Sequence, residues 1–178
     1  MSQSIVTPGE IEHAIRNVPD FPKPGIQFKY ITPVLADARL FAGSIDLLTE
    51  GFKPGSVDAV VGIDARGFIF AAAAAVKLRA GFVPVRKKGK LPHQTIEQDY
   101  ALEYGSATVA MHVDALKPGA RVVLIDDLLA TGGTSAAAAA LVTKLGANIL
   151  EIGFLIELKF LNGREKLKGW PVRSIIAY

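Results

Sequence analysis

Two adjacent carboxylates, Asp126 and Asp127, directly follow a run of aliphatic residues and directly precede a short turn that contains glycine. The aliphatic run predicts a buried parallel strand, and the Ala-rich segment after the turn predicts a helix. Ligands of open α/β sheets bind beyond the carboxyl ends of the strands, which is where the sequence places these two acids. Carboxylates accept hydrogen bonds from neighbouring hydroxyl groups. The pair is therefore suited to holding a sugar.

The turn after the acids has the composition of an anion cradle. It consists of small and hydroxyl-bearing residues: Ala130, Thr131, Gly132, Gly133 and Thr134. Glycine lets main-chain N–H groups approach an anion without interference from a side chain, and the first N–H groups of the following helix are unpaired at the positive end of its dipole. The run is neither a Walker A loop nor a dinucleotide fingerprint, because it lacks both Gly-Lys-Ser/Thr and the G-x-G-x-x-G spacing. We therefore predict a ribose-phosphate site.

The elements predicted around this site alternate between strands and helices, which is the pattern of parallel β-α-β units. Strands are predicted over residues 58–63, 82–85, 108–111, 121–125, 149–158 and 172–177, and helices from Thr7 and over 37–50, 68–78 and 135–145. Residues 21–33 contain three prolines and are predicted to form an ordered loop. The fold class is thus α/β, with a mostly parallel twisted sheet flanked by helices.

The composition narrows the class of protein. The chain has 178 residues, of which 50% are hydrophobic, enough for one core. No apolar run is as long as the roughly 18 residues of a membrane span, and no secretory signal is visible. Cysteine is absent, which excludes disulfides and thiolate metal sites and fits a cytoplasmic protein. The net charge of +3 suits an anionic substrate; neither a membrane nor a nucleic-acid partner is predicted.

A long polar connection over residues 86–105 contains a basic cluster that includes Arg86, Lys87 and Lys90. Connections of this length in a compact domain are usually functional or disordered. A solvated run of charges is one interpretation, and a nucleic-acid patch is another, although the cluster is short for that purpose. We favour a lid that closes over a polyanion and excludes water from a reactive intermediate.

The hydrophobic strand, the two acids and the Thr-Gly-Gly-Thr loop resemble the PRPP-binding motif of the type I phosphoribosyltransferases, where PRPP is phosphoribosyl diphosphate. Other stretches resemble the adenine phosphoribosyltransferases, a branch of that family. They are Phe-Pro-Lys-Pro-Gly-Ile at 21–26, Arg-Gly-Phe at 66–68, Arg-Lys-Lys-Gly-Lys-Leu-Pro at 86–92, Leu-Glu-Tyr-Gly at 102–105 and Gly-Arg-Glu-Lys-Leu at 163–167. The resemblance implies the type I fold in a single domain over 1–178, with a small N-terminal hood over about 1–34 and a flexible lid over about 86–105.

The resemblance also implies an activity: transfer of the phosphoribosyl group of PRPP to N9 of adenine, which gives AMP and diphosphate in purine salvage. The Mg²⁺ would be carried by PRPP, with no direct protein ligand, and the enzyme would be a homodimer. By the same resemblance, Asp126 and Asp127 hold the ribose hydroxyls, and residues 130–134 hold the 5′-phosphate. The remaining implied roles are the diphosphate contacts Arg66, Arg86, Lys87 and Lys90, the base contacts Gln27, Phe28 and Lys29, the catalytic groups Glu103 and Arg66, and the lid residue Tyr104.

The chain departs from this pattern at two places. It reads Phe28-Lys29-Tyr30 where relatives usually read Phe-Arg-Asp, and Asp64-Ala65 where many relatives have a serine. The first departure leaves open a transferase for another base, such as xanthine. A PRPP- or purine-sensing regulator is the other alternative, but only about 20 residues precede the family's region, too few for an added DNA-binding domain.

Overall fold

The computed structural model describes residues 5–101 and 105–178, and the chain divides into two compact units, Met1–Leu47 and Leu48–Tyr178. The first unit contains the helices α1 (Pro8–Ala14) and α2 (Thr32–Ala36), all but the last residue of α3 (Ala38–Leu48), and the strands β1 (Arg16–Pro19) and β2 (Gln27–Tyr30). Thr7 and Glu10 form the capping box at the start of α1. The Glu10 carboxylate accepts the Thr7 N–H at 2.9 Å, and the Thr7 hydroxyl accepts the Glu10 N–H at 3.3 Å.

The prediction that residues 21–33 form a loop is wrong in its second half. The strands β1 and β2 pair as an antiparallel hairpin, from Arg16 opposite Tyr30 to Pro19 opposite Gln27, and α2 follows directly. The prolines do not prevent this arrangement because they avoid hydrogen-bonded positions. Pro22 and Pro24 lie in the connection between the strands, and Pro33 lies in the first turn of α2, where proline is tolerated.

Within the first unit, α3 is fastened to α1. Arg39 on α3 forms an ion pair of 2.8 Å with Glu10 on α1. Gly43 on α3 lies so close to Val6 that a Cβ atom there would overlap the valine side chain.

The described residues of the second unit form a seven-stranded sheet in the order β5-β6-β4-β3-β7-β8-β9. The strands are β3 (Ala59–Ile63), β4 (Gly81–Lys87), β5 (Thr95–Ala101), β6 (Ser106–His112), β7 (Arg121–Leu129), β8 (Asn148–Glu157) and β9 (Val172–Ala177). The helices are α4 (Gly67–Leu78) and α5 (Gly133–Lys144), and single 3-10 turns cover Lys159–Leu161 and Gly163–Leu167. The strands from β4 through β9 in this order pair in parallel, whereas β5 and β6 are antiparallel. The predicted mostly parallel sheet is confirmed.

Two strands differ from their predictions. The region 86–105 is not one long connection, because β4 continues to Lys87 and β5 occupies Thr95–Ala101. Ile96 and Tyr100 on β5 are partly buried against the core, while the charged residues Glu97 and Asp99 between them are exposed. The sequence does not indicate this strand clearly, because the surrounding region is rich in charged residues. The strand β7 continues to Leu129, so the paired acids lie within it rather than after it.

The core of the second unit is built around β3 and the first half of β7. Every residue of β3 is buried, as are Val122 to Ile125 of β7, which matches the continuous hydrophobic runs expected of central parallel strands. Within the two described ranges, no helix is long and apolar enough to cross a membrane.

Candidate functional site

A cleft of about 290 Å³ opens at the carboxyl ends of β3 and β7. Its walls are the turn after β3, the end of β7 and the loop that leads into α5. The cleft exists because the two strands end at different levels. The last pair between them is Gly62 with Ile125, whereas β7 continues beside β8, with Asp126 opposite Phe154. The predicted residues Arg66, Asp126, Asp127 and 130–134 all line this cleft.

Asp127 and Arg66 form an ion pair across the cleft wall. The Arg66 Nε atom donates to the Asp127 Oδ2 atom at 2.5 Å. The Asp127 side chain is 10% exposed and the Arg66 side chain 47% exposed, so the arginine presents its charge to the cleft while the carboxylate stays inside. Buried carboxylates need such a partner. The pair holds the Arg66 side chain at the cleft.

Asp126 has a different environment. Its Oδ1 atom accepts the main-chain N–H of Asp127 at 2.9 Å. The pKa of the Asp126 carboxyl is raised well above its usual range, first because the protein removes water from it and second because Asp127 carries the same charge nearby. Gly67, the first residue of α4, passes so close that a Cβ atom there would lie 2.5 Å from Asp126 Oδ1. The start of α4 therefore requires a glycine beside this carboxyl group.

The loop before α5 depends on the conformation of Gly132. This residue has a φ of +75°, which glycine adopts without strain, and its carbonyl accepts the N–H of Ala136 at 2.9 Å. No side chain caps the start of α5. The first main-chain N–H groups of this helix therefore have no side-chain cap, which is the arrangement that an anion site at a helix start requires.

The other predicted cations lie at or beyond the margin of the cleft. Arg86 donates from Nε to Asp64 Oδ2 at 3.3 Å, and Asp64 lines the cleft. A second Arg86 nitrogen donates to the carbonyl of Lys90 at 3.1 Å. Lys87 and Lys90 are exposed and do not line the cleft. Of the predicted diphosphate contacts, the structure thus brings Arg66 into the cleft and Arg86 to its edge.

The predicted base contacts lie on β2 in the first unit. The Phe28 ring has an edge-to-face contact with Phe21, with centroids 5.1 Å apart, and lies 6.3 Å from the ring of Tyr30. The Lys29 ammonium group donates to the side chain of Asn17 on the paired strand at 2.7 Å. The predicted catalytic acid Glu103 and the lid residue Tyr104 lie outside the described residues.

Sequence reasoning missed three residues that shape the cleft. Asp64 pairs with Arg86, Gly67 makes room for Asp126, and Gly163 packs against the loop before α5. A signal for Asp64 and Gly67 was available, since both lie within two residues of Arg66 at the end of a predicted strand. Gly163 opens the Gly-Arg-Glu-Lys-Leu stretch, but nothing local in the sequence indicates its contact. In the described part of the chain, no group of three or more histidine, aspartate or glutamate side chains could hold a metal ion.

The comparison with known proteins agrees with this geometry. A model of the phosphoribosyl transferase domain matches residues 33–175. The chain belongs to the phosphoribosyltransferase family. An adenine phosphoribosyltransferase of Acidothermus cellulolyticus is 55% identical over 169 residues, which is 94% of this chain and 96% of that protein.

Solved structures of adenine phosphoribosyltransferases share the fold over almost the whole chain. The crystal structure from Thermoanaerobacter pseudethanolicus has a TM-score of 0.91 at 51% identity and covers 97% of this chain and 100% of that one. The structure from Saccharomyces cerevisiae, complexed with an iminoaltritol bisphosphate and adenine, has a TM-score of 0.89 at 41% identity and covers 94% and 97% of the two chains. The resemblance inferred from sequence motifs and the predicted type I phosphoribosyltransferase fold are confirmed.

Proposed function

We propose that the chain is an enzyme that transfers the phosphoribosyl group of PRPP to adenine, giving AMP and diphosphate in purine salvage. The observation that carries this function is the cleft, where an acid pair, an uncapped helix start and an ion-paired arginine lie together. These groups match the three parts of PRPP, which are a ribose, a 5′-phosphate and a diphosphate. The adenine phosphoribosyltransferases that the chain resembles support adenine as the acceptor.

Each part of PRPP has a proposed place in the cleft. The 5′-phosphate lies against the main-chain N–H groups and hydroxyls of residues 130–134. The ribose hydroxyls donate to Asp126 and Asp127, and the diphosphate is bound by Arg66 and Arg86. Lys87 and Lys90 add positive charge at the margin of the site. This charge attracts a polyanion such as PRPP and favours its association.

The proposed reaction needs little covalent help from the protein. The bond between C1 of ribose and the diphosphate oxygen breaks, and N9 of adenine forms a bond to C1 while the base gives up a proton. Positive charge develops on the ribose ring beside the Asp126 and Asp127 carboxyls, and negative charge develops on the diphosphate beside Arg66. Pre-positioned charges of this kind account for much of enzymatic rate enhancement. Glu103 is the proposed acid/base group for the base.

Mg²⁺ is proposed to arrive with PRPP. This ion prefers oxygen ligands and usually binds through one or two carboxylates together with substrate phosphates. The carboxylates of the cleft have suitable oxygens, but Asp127 is engaged with Arg66 and Asp126 with a main-chain N–H. The ion would therefore be held by the substrate phosphates, where it would neutralise diphosphate charge.

Adenine is proposed to stack on Phe28, while the main chain of Gln27 and Lys29 contacts its edge and Tyr104 helps to close the lid. One observation supports a different acceptor base in place of adenine. Tyr30 stands where relatives usually have an acid, and its ring lies next to that of Phe28. A transferase for another purine, such as xanthine, is therefore the alternative function.

A homodimer and a cytoplasmic location complete the proposal. The homodimer is proposed from the resemblance to the family. The location follows from the predicted metabolic role alone.

The decisive experiment measures AMP formation from adenine, PRPP and Mg²⁺ by the purified protein, beside hypoxanthine, guanine and xanthine. Adenine-selective turnover is the expected result. Turnover of another base would be consistent with the proposed PRPP site but would contradict adenine as the acceptor. Binding of PRPP without turnover of any base would instead identify a regulator.

Glu103→Gln tests the proposed acid/base group. We expect kcat to fall by about 100-fold, a typical loss for a general acid or base, with the KM for PRPP unchanged within about twofold. Glu97→Gln is the matched control, because Glu97 is a surface acid paired with Lys88 at 2.6 Å. An unchanged rate in Glu103→Gln would remove Glu103 from the mechanism.

A further inference from the structure

The 3-10 turn at Gly163–Leu167 directly supports the loop that precedes α5. A Cβ atom on Gly132 would overlap the carbonyl oxygen of Gly163, and a Cβ atom on Gly163 would overlap the carbonyl oxygen of Ala130. The same position on Gly163 would be 2.8 Å from a methyl group of Leu129 and 3.1 Å from the main-chain nitrogen of Gly132. Gly163 is buried and its φ is not positive. It must therefore be glycine because of space alone.

The residue after Gly163 anchors this turn to the sheet. Arg164 donates from Nε to Glu157 Oε1 at 2.8 Å and from a terminal nitrogen to Glu157 Oε2 at 2.7 Å. Another terminal nitrogen donates to the carbonyl of Val172 on β9 at 2.9 Å. A two-pronged arginine contact of this kind fixes direction as well as distance.

Glu157 is a buried carboxylate that Arg164 keeps charged. Its side chain is 6% exposed, and its Oε2 atom also accepts the Ser174 hydroxyl at 2.6 Å. The hydrogen bonds from Arg164 hold the pKa of Glu157 below its usual value. Glu157 is the last residue of β8, and the next N–H, that of Leu158, donates to the carbonyl of Leu129 at 2.9 Å. The anchor and the start of the loop are thus attached to the same pair of strand ends.

We propose that Arg164 is a positioning residue for the 5′-phosphate loop: held by Glu157 and β9, it presses Gly163 against Gly132 and keeps the loop in its binding conformation. This inference rests on the proposed phosphate-binding role of residues 130–134. Without the anchor the turn retreats and the loop spends less time in the competent conformation. The apparent dissociation constant of a ligand rises as the reciprocal of that competent fraction.

The amino end of the same sheet has a matched control. Arg121 binds both oxygens of Asp58, at 2.7 Å and 3.0 Å, and a main-chain carbonyl, that of Gly55, at 3.0 Å. Asp58 directly precedes β3 and Arg121 is the first residue of β7, so this pair lies away from the cleft. Arg121→Ala therefore removes a similar two-oxygen arginine contact, although to a more exposed carboxylate, without touching the loop.

The test measures ribose 5-phosphate binding by calorimetry and the KM values for PRPP and adenine, in the parent, Arg164→Ala, Arg164→Lys and Arg121→Ala. We expect Arg164→Ala to weaken ribose 5-phosphate binding and raise the KM for PRPP by roughly tenfold, the result of a loop that is competent about one tenth of the time. Arg164→Lys keeps the charge but cannot donate from two nitrogens to both Glu157 oxygens, so we expect an intermediate effect. The KM for adenine stays within about twofold in every variant, and Arg121→Ala changes thermal stability alone.

Gly163→Ala keeps the proposal testable if Arg164→Ala fails to fold, because it displaces the loop and leaves the ion pair in place. It should raise the KM for PRPP in the same selective way. The proposal is overturned if folded Arg164 and Gly163 variants bind ribose 5-phosphate like the parent, if the KM for adenine rises equally, or if Arg121→Ala has the same effect. A parent that binds ribose 5-phosphate but forms no nucleotide would refute the proposed function while leaving the positioning role measurable. A parent that does not bind it would refute the positioning role.

Discussion

The segments β3–α4 and β7–α5 have the same construction and offer an anion two different surfaces. In each, a buried strand leads through a short turn into a helix of 12 residues that no side chain caps. The residue before α4 is Arg66, in ordinary helical conformation with a φ of −73°, and its turn also contains Asp64. The residue before α5 is Gly132, with a φ of +75°, and no charged side chain occurs between Asp127 and Lys144.

Under the proposed function, this difference offers two ways to bind a phosphate at a helix start. The first turn would use side-chain charge, and the second would use main-chain N–H groups. The capping box of α1 gives the contrast, because Thr7 and Glu10 there satisfy each other. Helix ends at the cleft lack such caps. The first turn should therefore be sensitive to loss of charge, and the second to any added side chain.

Gly132→Ala should have the largest effect. The new methyl group would overlap the carbonyl of Gly163, and the alanine would have to adopt a positive φ. The loop therefore cannot keep its shape. We expect kcat/KM for PRPP to fall by about 100-fold, the scale reported for small misplacements of a site, as measured by steady-state kinetics.

Gly119→Ala is the control that introduces backbone strain without a steric overlap. Gly119 has a φ of +80°, but a Cβ atom there would have no neighbour within 4 Å. It should lower the melting temperature and leave the KM for PRPP unchanged. Equal kinetic losses in the two variants would show that the contact with Gly163 is unimportant.

Arg66→Ala should rank next. It removes the charge of the first turn and leaves the buried Asp127 carboxylate without this partner. We expect kcat/KM for PRPP to fall by about 10- to 100-fold, as for loss of one hydrogen bond to a charged group, with lower thermal stability. Arg66→Lys keeps the charge without the planar fork and should recover part of the loss; full recovery would mean that charge alone matters at this turn.

Gly67→Ala tests the point where the two segments meet. The added Cβ atom would lie 2.5 Å from Asp126 Oδ1 and displace that carboxyl group. We expect the KM for PRPP to rise by roughly tenfold while the KM for adenine is unchanged. Gly81→Ala is the control, because its Cβ atom would make an ordinary contact of 3.6 Å with the Asp58 carbonyl. A KM for PRPP that is unchanged in Gly67→Ala would show that Asp126 can move without cost.

The smallest expected effect is a pH-dependent change in thermal stability caused by Asp126→Asn. The folded protein raises the pKa of Asp126, so it holds this proton more tightly than the unfolded chain does. The stabilisation is present below the usual aspartate pKa of about 3.9 and is lost as pH rises through the raised pKa. Asp126→Asn should therefore melt at a higher temperature than the parent near neutral pH, and the difference should shrink in acid.

Thermal unfolding of Asp126→Asn across a pH series checks this expectation. Asp127→Asn is the contrasting variant, since it loses the ion pair with Arg66 and should melt lower at neutral pH. A difference between Asp126→Asn and the parent that does not vary with pH would contradict the assignment.

The contiguous parts of the cleft could be predicted from the sequence. Residues 126–134 are adjacent in the chain, and Arg66 directly follows a predicted strand, so strand polarity alone brings both to one edge of the sheet. The extent of β7 could not be predicted, because aspartate is rare inside strands and the pairing partner Phe154 comes from elsewhere in the chain. The support of Gly132 by Gly163 is likewise a long-range contact without a local signal.

The unequal lengths of β3 and β7 have a consequence for how this site can vary. Beyond the pair of Gly62 with Ile125, β7 is hydrogen-bonded to β8 on one side and faces the cleft on the other. The candidate site is thus a step in the sheet, and the depth of the step depends on how many residues β7 extends beyond β3. Extending β3 by a residue or two would fill the step without altering any side chain that lines the cleft. If PRPP binds here as proposed, insertions at this strand end are constrained by the space that PRPP needs as well as by the packing of the core.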